Sequence, residues 1–140
     1  MIKIVNTTEE HYDFLKSYFK KFVTDLDKFL NTKNYRCCEY RVDGKLIGCS
    51  FFVIHDTYIH LNASLVSDNF RGIGINSEMK DEIIKYCKEL PNINKITCNV
   101  RQSNESSIKS VLKIGFEINN NVDMIYPDGE KKIPLYYKLK

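Results

Sequence analysis

No stretch of this 140-residue chain is long and apolar enough to span a bilayer, and its N-terminus lacks the apolar core of a signal peptide. A cytoplasmic location is the expectation, and a membrane is not an expected partner. Charge of one sign is scarce as well. Lys and Arg outnumber Asp and Glu only by 21 to 18, and the lysines are scattered rather than blocked. Without a basic stripe or an aromatic RNA-binding motif, nucleic acid is not an expected partner either. No Cys-x-x-Cys occurs, and none of the five cysteines has a histidine at zinc spacing. Cys37, Cys38, Cys49, Cys87 and Cys98 are therefore expected as reduced core residues with no metal bound. Linkers, repeats and low-complexity segments are missing too, so residues 1–140 are expected to form one domain with a sizeable core.

What is present alternates between strand and helix signals. Met1 to Val5 reads as a short edge strand, and Thr7-Thr8-Glu9-Glu10 as a capping box with Thr7 as cap and Glu10 reaching back. Leu15, Phe19, Phe22, Leu26 and Phe29 or Leu30 then keep helical spacing, with a break suggested at Thr24-Asp25. Residues 35–42 and 46–55 are two β-rich runs around Asp43-Gly44, a hairpin signal. A turn near Asp56-Thr57 starts a third strand. Three antiparallel strands followed by a strand–helix–strand unit describe an α+β domain.

The chain is organised around residues 65–78. An alternating run (Ile59, Leu61, Ala63, Leu65) leads in, and a helical pattern (Ile75, Met79, Ile83, Tyr86, Leu90) leads out. Between them stands Arg71-Gly72-Ile73-Gly74. Glycines at a strand-to-helix turn let backbone N–H groups face outward, and the first helical turn adds unpaired donors and the positive end of its dipole. Together they make a nest for phosphate. Neither a Walker lysine nor the third glycine of a dinucleotide fingerprint is present. Beyond Pro91, Lys95 to Val100 is a short buried strand, expected parallel to the strand before the loop through a right-handed crossover. Ser103-Asn104-Glu105-Ser106 opens another helix with Ile108, Val111 and Leu112 inward, closed by Gly115. The tail reads as a hairpin around Tyr126 to Glu130, with a last strand alternating Leu135, Tyr137, Leu139.

The loop resembles the pyrophosphate loop of the GNAT acyltransferase superfamily: Arg or Gln, two residues, Gly, one residue, then Gly or Ala. Arg71 and Gly74 match, and Asn76 stands where the small residue belongs. The stretch from Val100-Arg101-Gln102-Ser103-Asn104 to Ile114-Gly115-Phe116 resembles the other half of such a site, closest to the branch that acetylates protein N-termini and ribosomal proteins. The resemblance implies a mixed, mostly antiparallel sheet of six or seven strands, a central parallel pair and about four helices. It implies acetyl-CoA as cosubstrate, with Leu65, Val66, Arg71, Gly72, Ile73, Gly74, Ile75, Asn76, Ser77, Asn104 and Ser107 around it. The splayed parallel strands would admit the pantetheine arm near Val66 and Asn99, and the N–H of Val66 would serve as oxyanion donor. The acceptor would be a small-molecule amine or a peptide, and a homodimer is compatible with the pattern.

The resemblance also exposes departures. The usual acid, a Tyr seven residues after the motif Asn, is replaced by Val111, and the Glu before Arg101 by Asn99. His60 stands eleven residues before Arg71, the place of a catalytic Glu in histone-type members. A histidine titrates near neutrality and suits a general base. His60, Asn62 and Ser64 are expected on one strand face, opposite Leu61, Ala63 and Leu65. Tyr126 is the candidate for the missing acid, whereas His11 and His55 are expected at the surface. The expected activity is N-acetyl transfer by direct attack in a ternary complex. The alternative is a catalytically impaired acyl-CoA-binding regulatory module.

Overall fold

The computed structural model describes residues 1–17 and 34–140. The expected helical positions from Phe19 to Leu30, and the break at Thr24-Asp25, lie outside the described residues. Among the described residues, the chain runs β1 (Ile2–Asn6), α1 (Glu9–Lys16), β2 (Tyr35–Val42), β3 (Lys45–Ile54), β4 (Tyr58–Val66), a 3-10 turn (Asp68–Phe70) and α2 (Ile75–Lys88). It continues as β5 (Lys95–Arg101), α3 (Glu105–Ile114), β6 (Glu117–Ile118), β7 (Met124–Ile125) and β8 (Lys131–Lys138). Two strands of only two residues, β6 and β7, bring the described sheet to eight strands. Its order is β1-β2-β3-β4-β5-β8-β6, with β7 also paired to β8.

All strand pairs are antiparallel except β4–β5, the crossover expected around α2. Asp43 and Gly44 both take positive φ, 52° and 80°, which matches the right-handed twist of the hairpin they close. On one side of the sheet α2 packs Ile75, Met79, Ile83 and Cys87 onto Cys38, Ile47, Phe52, Leu61, Ile96 and Cys98, and α3 adds Val111. On the other side Leu15 of α1 joins Cys37, Cys49, Phe51 and Leu65. Helix α3 turns Val111 inward at 3% exposure but leaves Leu112 at 40%, so Leu112 is not part of its inner face.

The N-terminal cap is shifted by one residue from the sequence expectation. Thr8, not Thr7, is the N-cap, and His11, not Glu10, reaches back to it. His11 is also not a surface group: it is 1% exposed and faces the sheet. Its Nδ1 accepts the Thr8 backbone N–H at 3.0 Å. A nitrogen that accepts a backbone N–H carries no proton, so Nε2 is the protonated nitrogen and donates to Glu39 Oε2 at 2.8 Å. Arg41 bonds the same carboxylate, at 3.1 Å to each oxygen.

A second departure matters more for the site. Pairing of β4 with β3 slips between Ser50–Ser64 and Phe52–Leu61, leaving an extra residue in β4 opposite Phe51. Such a bulge reverses the alternation of faces beyond it. Leu61 accordingly packs under α2, whereas Ala63 and Leu65 pack on the α1 side. The expected shared face of His60, Asn62 and Ser64 is broken. His60 lies on the α1 side, and Ser64 on the opposite side, where its hydroxyl bonds Ser50 at 2.7 Å.

Candidate active site

Strands β4 and β5 pair at only three positions: Tyr58–Lys95, Ile59–Ile96 and His60–Thr97. The β4 bulge follows at once, while β5 stays paired to β8 from Lys95 to Arg101. The result is a V between two parallel strands that opens toward the loop. The Ser67 N–H is engaged by the Ile47 carbonyl at 2.8 Å, on the β3 side. Donors alternate along a strand, so Val66 and, two residues back, Ser64 direct their N–H groups to the open side. The family resemblance implies Val66 as a donor. Ser64 was missed because only the bulge shows where pairing stops.

Loop residues at the mouth of the V take the geometry an anion needs. Gly72 and Gly74 have φ of 78° and 89°, and a Cβ at either would meet nothing within 4 Å. With space to spare at both positions, the need for glycine is conformational, since a side chain is strained at these angles. Gly74 caps α2, whose first turn contains Ile75, Asn76 and Ser77. Ile75 is core, and Ile73 stands 66% exposed at the loop tip. Arg71 donates from Nε to the Val66 carbonyl at 3.0 Å, while its Nη2 lies 3.3 Å from Asp68. One contact fixes the loop against the strand end, and the pair with Asp68 is exposed and weak. Asn76 Oδ1 accepts from Lys80 Nζ at 2.9 Å.

Across the V, Asn104 caps α3. Its side chain accepts from the Ser107 N–H and the Ser106 hydroxyl, both at 3.3 Å. Ser107 therefore has its backbone donor engaged within the cap. His60 is half-buried, with Nδ1 2.7 Å from the Thr97 hydroxyl. Burial first, then the nearby charges of His55 and Lys132, hold its imidazole below the ordinary value. Tyr126 sits at the end of β7, its ring 4.1 Å from the Arg101 guanidinium and 4.7 Å from Lys132 Nζ. Burial raises its phenol above the ordinary value despite Arg101. Arg101 is clamped by Asp128 at 2.7 Å and Glu130 at 3.0 Å, and Glu130 also accepts the Ser103 N–H at 2.9 Å. This clamp ties the closing hairpin to the start of α3, and its members lie too far apart in the sequence to be paired by spacing.

The loop after β4 and the α3 cap after β5 both follow the C-terminal ends of the two parting parallel strands. His60 and Tyr126, which share Lys132 as a neighbour, lie on the far side of the sheet from α2. A third grouping, His11 with Cys37 and Cys49, has its donor atoms within 4.8 Å of one another. Both His11 nitrogens are already engaged by Thr8 and Glu39, so no nitrogen is free to ligate. All five cysteines are free thiols.

The family model described as Acetyltransferase (GNAT) family matches residues 4–116. No curated protein matches by sequence at a significant level. Similar solved structures include the ribosomal-protein-S18-alanine N-acetyltransferase from Escherichia coli, at 16% identity and TM-score 0.79, covering 100% of this chain and 95% of that one. NAA60 from Arabidopsis thaliana, in complex with a bisubstrate analogue, superposes with TM-score 0.76 at 15% identity, over 99% of this chain and 98% of that one. A GNAT family acetyltransferase from Elizabethkingia anophelis with acetyl-CoA bound gives 0.73 at 18% identity, over 98% and 97%.

Proposed function

Because the chain belongs to the GNAT acetyltransferase family, we propose that it moves the acetyl group of acetyl-CoA to a primary amine by direct attack within a ternary complex. The observation that carries this reading is the parting of β4 and β5 just after His60 and Thr97, beside a loop with two left-handed glycines. The V offers unpaired strand donors to the amides of a pantetheine arm, and the loop offers N–H groups and Arg71 to a diphosphate. The donor set fits the cosubstrate without any metal.

Each residue then has a distinct task. Arg71 and the backbone from Gly72 to Ser77 hold the diphosphate, and Leu65 supports the strand edge from the core. Asn104 and Ser107 hold the start of α3 against the arm. The N–H of Val66 receives the carbonyl oxygen as it becomes an oxyanion, and the N–H of Ser64, one strand repeat away, is left to an amide of the arm. As the amine nitrogen bonds the carbonyl carbon, His60 takes the nitrogen's proton. His60 stands six positions before Val66, roughly 20 Å of extended strand less the bulge, so the proton travels along a chain of bridging waters. The carbon–sulfur bond breaks, and Tyr126, kept protonated by its burial, returns a proton to the thiolate.

The name of the Escherichia coli relative supports a protein amine as one acceptor class, and a small-molecule amine is the other. Five free, buried thiols support a reducing, cytoplasmic setting. A second reading, an acyl-CoA-binding module without turnover, is favoured by Val111, which lies in the core where a tyrosine acid would stand. A thermal shift with CoA and acetyl-CoA, followed by free-thiol release over an amine panel, separates them. Turnover on any amine supports the transferase. Binding without turnover supports the module, and no binding of either CoA or acetyl-CoA rejects both.

A further inference from the structure

Lys80 is the most unusual side chain near the loop. It lies on the second turn of α2, in the helix face that otherwise buries Ile75, Met79, Ile83, Ile84 and Cys87, and is itself only 9% exposed. Its ammonium makes one hydrogen bond among the described residues, to the neutral Asn76 amide oxygen. An ammonium carries three donors, so two remain without a protein acceptor there. Burying a charge with so little compensation is costly. The position adds to the cost, because the positive end of the α2 dipole disfavours a cation in the first turns.

Two features say where this charge points. Helical side chains lean toward the helix N-terminus, and the bond to Asn76 draws the Lys80 head one turn back toward Gly74. Cys98 is its other electrostatic neighbour. Cys98 is the β5 residue directly after the last β4–β5 pair, His60–Thr97. Lys80 therefore sits between the phosphate nest and the apex of the V, where the diphosphate would pass into the arm. Burial holds its ammonium below the ordinary lysine value, in keeping with a cation short of an anion.

We propose that Lys80, oriented by Asn76, is a further cosubstrate-binding residue whose ammonium contacts the CoA diphosphate from the core side of the loop. Asn76 in place of the usual small residue then has a purpose, since a glycine there would leave Lys80 unoriented. Arg71, partly neutralised by Asp68, would supply the outer charge and Lys80 the inner one.

This inference rests on the acetyl-CoA reading, and one experiment separates the two. Affinity for CoA and for dephospho-CoA is measured by calorimetry on the wild type, Lys80→Met and Lys80→Gln, with thermal unfolding of each protein free of ligand. The expected result is a loss of about tenfold or more in both variants, equal for CoA and dephospho-CoA, since both carry the diphosphate. The unliganded melting temperature should rise in Lys80→Met, because a buried charge has been removed. CoA affinity within twofold of a CoA-binding wild type overturns the role of Lys80 and leaves the acetyl-CoA reading intact. A loss confined to CoA overturns it as well, since Lys80 would then read the 3′-phosphate. A wild type that binds neither ligand overturns the reading on which it rests.

Discussion

His60 Nδ1 lies 2.7 Å from the Thr97 hydroxyl, across the last register pair before β4 and β5 separate. The contact sits at the hinge of the V, and it bears on which imidazole nitrogen is available. A base role needs Nδ1–H to donate to Thr97, leaving the Nε2 lone pair free. Thr97→Val removes that restraint and should lower kcat/KM by about fivefold to tenfold with acetyl-CoA affinity unchanged. An unaltered rate would show that Thr97 does not set the tautomer.

His60→Ala should lower kcat/KM by roughly a hundredfold while sparing acetyl-CoA affinity. In the wild type, the rate should rise with pH through an apparent pKa below the ordinary imidazole value of 6.5, because burial favours the neutral form. The sign for stability follows from the same shift. The folded state binds the proton less readily than the unfolded one, so the stability conferred by neutral His60 is complete above the unfolded value. It is lost as pH falls below that value toward the folded one. Alanine with the wild-type profile would mean that the amine loses its proton to water alone.

Arg71→Glu should weaken CoA binding at least tenfold, since a phosphate partner becomes a like charge and the bond to the Val66 carbonyl is lost. Calorimetry decides this, and unchanged affinity would remove the loop from the site.

Gly74→Ala tests backbone shape without touching charge. A Cβ there meets no atom, but φ of 89° is strained for alanine. The cost should be about 1–2 kcal/mol in unfolding free energy, with a matching fall in CoA affinity if the loop relaxes to escape the strain. Wild-type values for both would show that the left-handed conformation is dispensable.

Thiol chemistry provides an independent check on the core. Burial pushes the thiols of Cys38 and Cys87 up to about 12 and that of Cys98 to about 11, and raises Cys37 further still. The native protein should react slowly with an uncharged maleimide at neutral pH, and five groups should label after unfolding. Rapid labelling of any cysteine in the native protein would contradict its burial.

Local pattern sufficed for several parts of the fold. Asp43-Gly44 specifies its hairpin because the turn needs two positive φ angles. Ile75, Met79 and Ile83 specify the inner face of α2 because the helical repeat is short-ranged. Arg71, Gly72 and Gly74 mark the loop because backbone shape there depends on residue type alone. The faces of β4 could not be read the same way. The bulge opposite Phe51 arises from pairing with β3, a strand several residues away through a turn, and it carries Ser64 to the face opposite His60. His11 illustrates the same limit. Its spacing from Leu15 was visible, but its burial depends on Glu39, 28 residues onward, supplying the acceptor that makes an interior imidazole tolerable. Lys80 reads in the sequence as one more scattered lysine. Only packing of α2 over the parting strands places its ammonium inside, beside Asn76 and Cys98. Periodicity and turn chemistry are properties of neighbours along the chain, whereas register, bulges and the partners of buried charges are decided by segments that meet only once the sheet has closed.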